Sequence, residues 1–137
     1  MIEKIRKLNL KKAGYCSVTI GIIGIIVHVL VIVQIMPYTW VNGGRSASFL
    51  EAKDLSVTSI IFILVNILIA LIASKIIPLK LNRVFGILLS VFLIATLPLS
   101  FFGFIQQLLG TIFEKCVMSI VTLIGFLSDT RIALEKR

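Results

Sequence analysis

"YCSVTIGIIGIIVHVLVIVQIM", residues 15–36, carries no charged side chain, and how it is read decides the fold. As a helix these 22 residues would measure roughly 33 Å, close to the hydrocarbon thickness of a bilayer. Basic residues precede the stretch, as they do in a secretory signal. A signal's apolar core, however, runs only about 7–15 residues and closes on a small-residue cleavage site. Here the run is longer and closes on Met36-Pro37-Tyr38. It reads as a retained membrane span.

The rest of the chain agrees. It has 137 residues, of which 58% are hydrophobic, and a mean hydropathy of +1.11. A water-soluble domain of this size could not hide so much apolar surface. Residues 57–74 form a second apolar run, and residues 84–100 a third, with Pro98 near its end and expected to kink it. Residues 84–128 contain no obvious polar loop, yet a single helix over them would be about 67 Å long and far exceed a bilayer. The chain must therefore turn. Gly103, Gln106, Gln107 and Gly110, set among phenylalanines, place that turn between residues 101 and 110 and the last span at about 111–130. No repeat or low-complexity segment interrupts this plan. The expected fold class is all-α: a single-domain, four-span transmembrane helix bundle.

Charge orients the spans. The net charge of +8 could suggest nucleic acid, but the basic residues cluster beside the apolar runs. Lys4, Arg6, Lys7, Lys11 and Lys12 precede the first run; Lys75, Lys80 and Arg83 lie between the second and third; Arg131, Lys136 and Arg137 follow the fourth. Only Arg45, Lys53 and Lys115 fall on the other side. The positive-inside bias then puts both termini in the cytoplasm, and four crossings agree in putting the two termini on one side. Nucleic acid is excluded as a partner. Cys16 and Cys116 have neither metal nor redox spacing, and this topology separates them to opposite faces.

"PYTWVNGGR", residues 37–45, consequently belongs to the outer face. Pro37 is expected to end the first helix, and Tyr38 and Trp40 fall where amphipathic rings anchor at the headgroups. Asn42-Gly43-Gly44 is a turn signal. Ser48-x-x-Glu51 reads as a capping box opening a helix into the second span. Small or weakly polar residues mark one face of each span: Ser17, Gly21, Gly24 and His28; Ser59, Asn66, Ala70 and Ala73; Gly86 and Ser90; Glu114, Met118, Thr122, Gly125 and Asp129. Such faces pack helix on helix.

Several residues carry candidate chemistry, each beside a plainer role. His28, the sole histidine, stands near mid-span as a proton carrier, or as a neutral imidazole bonded to Asn66 at similar depth. Glu114 binds a cation or pairs with Arg45, or simply marks the start of the last span at the headgroups. Glu51 is a cap or an ion-pair partner of Arg45, which could also contact a phosphate. Tyr38 and Trp40 form an aromatic wall for a lipid or cationic ligand, or a belt anchor. Gln34, Gln106 and Gln107 lie close to the same face. Together Gln34, Tyr38, Trp40, Arg45, Glu51, Gln107 and Glu114 make the candidate ligand-binding patch. No HExxH, GxSxG, CxxC, Walker or dinucleotide motif is present, so no catalytic residue, metal site or cofactor is expected.

Residues 37–45 together with "LLGTIFEKCVMSIVTL", residues 108–123, resemble an uncharacterised family of small four-helix integral membrane proteins of Bacillus-type Gram-positive bacteria. The resemblance implies a bacterial plasma membrane and carries no catalytic residue across. Other small families fit poorly. Small multidrug exporters use an acidic residue inside the first span, and claudin-like proteins need a cysteine pair in the outer loop; both features are absent here. The expected function is non-catalytic: binding or transport of a small molecule, lipid or ion at an outward-facing polar patch. The competing reading is an accessory or assembly protein whose outer loop contacts a membrane-protein partner, or a second copy in a homo-oligomer. Convergence of Arg45, Trp40, Glu114 and Gln107 in one pocket would favour a ligand; their splaying over an exposed surface would favour a partner.

Overall fold

The long apolar runs become four long helices in the computed structural model, which describes residues 2–136. A short helix α1 (Ile2–Arg6) leads into α2 (Leu10–Ile32), followed by α3 (Phe49–Ala73), α4 (Arg83–Leu108) and α5 (Ser119–Ala133). A π-helical turn, Glu114–Met118, opens the last of these. No strand occurs among the described residues. Four helices, counting the π turn with α5, are long and apolar enough to cross a membrane. Arg137, counted above with the C-terminal basic cluster, lies outside the described residues.

Helix boundaries differ from the sequence reading at two places, each for a local reason. The helix α2 stops at Ile32, before Pro37, because Gln34 adopts a left-handed conformation with φ 61°. Gln34 N–H then reaches Val31 O, and Ile35 N–H reaches Leu30 O. This is the Schellman pattern, which satisfies carbonyls left over at a helix end. The end of α3 repeats it at Lys75, φ 59°, with Ile76 N–H on Leu71 O. The helix α3 starts at Phe49, where the Ser48 cap predicts it: Ser48 Oγ accepts from Glu51 N–H. The helix α4 runs through Pro98 and the Phe-rich segment to Leu108. The turn into the last helix therefore occupies residues 109–111 rather than 101–110.

Packing follows the small residues of the first span. A Cβ on Gly21 would come within 2.7 Å of Ile67 in α3, and one on Gly24 within 3.2 Å of Ile63. Side-chain absence here is what lets α2 and α3 approach. On another side of α2, Ser17 Oγ donates to Asp129 of α5 at 2.7 Å, and Gly125 of α5 faces Ile20. The helix α4 packs on α5, where Phe101 and Phe126 meet at 5.4 Å. The helices α3 and α4 share no comparable interface. The bundle is thus a row, α3–α2–α5–α4, bent around a lateral cleft between its two outer members.

The two ends of the row differ. At one end gather α1, the 74–82 connection and the C-terminus; we call it the terminal end. Arg6 Nε donates to Leu134 O, and Arg131 Nε donates to Leu8 O, both at 2.7 Å, so each chain terminus caps a carbonyl of the other. Arg131, only 5% exposed, also pairs with Glu135 at 3.0 Å, and Lys75 reaches the same carboxylate at 3.1 Å. The opposite end carries residues 33–48 and 109–113; we call it the loop end.

Candidate functional site at the loop end

The candidate patch is built on an unusual backbone. Three consecutive residues, Asn42, Gly43 and Gly44, have φ of 57°, 68° and 66°. A left-handed turn of this length is tolerated by Asn-Gly-Gly because glycine has no Cβ to clash. It directs Gly43 N–H onto Glu114, which lies 3.0 and 3.1 Å away through its two carboxylate oxygens. Thr111 N–H donates to Oε2 of the same carboxylate at 2.8 Å, and Glu114 N–H returns a bond to Thr111 Oγ1. Thr111-x-x-Glu114 is therefore a complete capping box at the start of the last helix. A Cβ on Gly110 would overlap Glu114 Oε2, so that position also needs glycine.

This geometry decides what Glu114 does. It is 3% exposed, yet no cation pairs with it: the two ion pairs among the described residues both involve Glu135. The expected Arg45 partnership does not form, and Arg45 is exposed. Two backbone N–H groups and the positive end of the α5 dipole supply the stabilisation that a guanidinium would otherwise provide. Glu51 is likewise held by backbone, accepting from Ala47 N–H at 2.7 Å rather than from Arg45. Glu114 latches the loop onto the helix end.

The aromatic residues fasten the same loop. Trp40 stacks on Phe113 at 5.9 Å, its carbonyl accepting from Thr111 Oγ1–H at 2.6 Å, and it remains 47% exposed. Tyr38 meets Phe49 edge-on at 6.4 Å. Val41, between them, is buried against Val27 and Val31. Beside Trp40 opens a cavity of about 530 Å³ lined by Trp40, Thr111, Ile112, Phe113, Cys116 and Val117. Its lining is almost wholly apolar, and Arg45, Glu51, Gln107 and Glu114 are not part of it. Gln34 is exposed and has no part in the cavity. Three buried polar atoms at this end have no hydrogen-bond partner: Asn42 Nδ2, Ser46 Oγ and Gln107 Oε1.

The intramembrane pair expected between His28 and Asn66 does not form either. His28 Nδ1 lies 3.2 Å from Ser56 Oγ, with the tautomer deciding which group donates. Asn66 is exposed and donates to Phe62 O of its own helix at 2.9 Å. The early start of α3 sets this register: Ser56, not Asn66, reaches the level of His28, and ten residues of helix separate the two by roughly 15 Å.

Sequence reasoning passed over Thr111 and read Asp129 only as part of a packing face. Thr111-Ile112-Phe113-Glu114 carries the same S/T-x-x-E signature recognised at Ser48, so the second capping box was legible from spacing alone. Compared with family models, curated proteins and solved structures, the chain matches none.

Proposed function

We propose that the chain is a non-catalytic, multi-pass integral membrane protein that binds a phospholipid or a similar amphiphile at its loop end. The observation that carries this reading is the apolar cavity beside Trp40, of about 530 Å³ and walled by Ile112, Phe113 and Val117. A cavity with this lining suits an acyl chain rather than a polar solute. The loop that forms its rim is latched by Glu114, so the wall is pre-organised. Exposed Arg45, on the same loop, offers a bidentate donor for a headgroup phosphate. The basic clusters at the terminal end support placing both termini in the cytoplasm and the loop end outside. The resemblance noted above supports a bacterial plasma membrane.

The test uses the single tryptophan, which makes intrinsic fluorescence a reporter of this site alone. Titrating a phospholipid with brominated acyl chains into the purified chain in detergent should quench Trp40 saturably. Val117→Phe, which fills the cavity, should weaken that binding, and Arg45→Gln should weaken it for anionic lipid. Quenching that rises linearly without saturation, or equally in Val117→Phe, would show mere partitioning into the micelle.

The accessory reading draws on the failure of Arg45, Gln107 and Glu114 to converge with Trp40 in one pocket, as a polar-ligand site would require, and on a second observation. Leu50, 66% exposed, stands among the exposed charges Glu51, Lys53 and Asp54 on the first two turns of α3, a surface suited to a protein partner. Cross-linking through Leu50 that yields a defined partner band, with no saturable lipid quenching, would favour it.

A further inference from the structure

The lateral cleft between α3 and α4 has a polar floor. There a cavity of about 50 Å³ is lined by Ser17, Asn66, Thr96, Ser100 and Asp129, with apolar walls from Ile69, Ala70, Leu93 and Ile132. The polar groups come from all four long helices: Ser17 from α2, Asn66 from α3, Thr96 and Ser100 from α4, Asp129 from α5. Asp129 sits four residues before the end of α5, or roughly 6 Å inside it. The carboxylate receives one hydrogen bond, from Ser17 Oγ, and belongs to neither ion pair of the described residues. Arg131, two residues on, is turned away to Leu8 O and Glu135.

Three of the floor's polar side chains already donate a hydrogen within the protein. Ser17 gives its hydroxyl hydrogen to Asp129, Thr96 gives its own to Leu93 O at 2.9 Å, and Asn66 turns its amide nitrogen to Phe62 O. The groups therefore offer the cavity oxygen lone pairs beside a carboxylate. An oxygen-only donor set selects hard cations. A single carboxylate balances a single positive charge, whereas a divalent ion would leave net charge in apolar surroundings at high cost. The volume admits a bare or partly hydrated ion and rejects a bulky organic cation.

The geometry points to a binding site for a monovalent metal cation, held by Asp129, Ser17, Asn66, Thr96 and Ser100 at the floor of the α3–α4 cleft. This site is distinct from the loop-end cavity, and neither depends on the other.

The experiment measures thermal unfolding of the full chain in detergent at pH 8, in NaCl, KCl or choline chloride at equal ionic strength. Choline is too large for the cavity and controls for screening. At a tenfold excess over Kd, Na⁺ or K⁺ should raise the midpoint by roughly 5 °C over choline. Asp129→Asn keeps the shape and removes the charge, and should abolish that rise. Should Asp129→Asn fail to fold, Thr96→Val and Ser100→Ala leave the carboxylate in place and should raise the cation concentration at half-effect at least about threefold. Identical wild-type midpoints in all three salts would overturn the site, leaving Asp129 to take up only a proton. An undiminished rise in Asp129→Asn, or an unchanged half-effect concentration in both hydroxyl variants, would overturn it equally. Trp40 quenching by lipid reads the other end of the molecule, so its outcome is separable from this one.

Discussion

Replacing Glu114 with alanine is the perturbation whose effect the structure specifies most fully. The carboxylate accepts from Thr111 N–H at 2.8 Å and from Gly43 N–H at 3.0 and 3.1 Å. Hydrogen bonds to a charged acceptor each contribute about 1.5–3 kcal/mol, and loss of a cap alone costs about 1 kcal/mol. Both donors are only partly buried, so water recovers some of this loss. We expect Glu114→Ala to destabilise the chain by about 3 kcal/mol, and Glu114→Gln, which keeps one carbonyl acceptor, by about half as much. Arg45→Ala removes an exposed side chain and should cost less than about 0.5 kcal/mol. The double variant should then be additive within about 0.5 kcal/mol, because the two groups share no bond. The assay is thermal or denaturant unfolding in a fixed detergent, followed by far-ultraviolet circular dichroism. Trp40 fluorescence reports loop detachment alongside it. A Glu114→Ala variant as stable as wild type, or a coupling to Arg45 above about 1 kcal/mol, would refute the latch.

Three further outcomes follow from the packing and the ends of the helices. Gly21→Leu should disrupt the α2–α3 contact with Ile67, whereas the exposed Ile22→Leu should be neutral; equal thermal stability of both in detergent would misplace the interface. Gln34→Gly should raise the unfolding midpoint by the equivalent of about 0.5–1 kcal/mol, because glycine adopts the left-handed conformation without a Cβ penalty; a midpoint at or below wild type would refute this. Glu135 is partly desolvated, which raises its pKa, but hydrogen bonds and charge from Arg131 and Lys75 outweigh this and hold it below the ordinary 4.5. A depressed folded-state pKa means its contribution is complete above that ordinary value and disappears as pH falls through the lower folded one. Glu135→Gln should therefore flatten the acid limb of a stability-versus-pH curve, and an unchanged limb would assign the acid sensitivity elsewhere.

Much of the fold was legible because hydrocarbon imposes strong constraints: an uncharged run of the right length has few alternatives to a spanning helix. The glycine stripe of α2 was legible for the same reason, since small residues at four- and three-residue spacing have little other use in an apolar helix. Helix ends were less so. Gln34 and Lys75 terminate helices in a conformation their side chains disfavour, and composition gives no warning of that. Arg45 misled because opposite charges in one region invite pairing, while the competing donors of Glu114 are backbone N–H groups that a sequence does not display. The cleft between α3 and α4 was illegible for a different reason. Every helix carries a packing face, but faces alone do not say which pairs of helices meet. Asp129 accordingly read as one member of a packing stripe rather than as a carboxylate facing a cavity.

The central proposal is that the four long apolar helices cross the membrane with both termini and the 74–82 connection on the cytoplasmic side. Single cysteines at Ala47 and Lys80, introduced after Cys16 and Cys116 are replaced, would be treated in intact cells with a membrane-impermeant maleimide. The cysteine at position 47 should label at once, and the one at position 80 only after the membrane is opened. Labelling at 80 in intact cells with protection at 47 would invert the orientation, and labelling of both in intact cells would contradict the four-span arrangement itself.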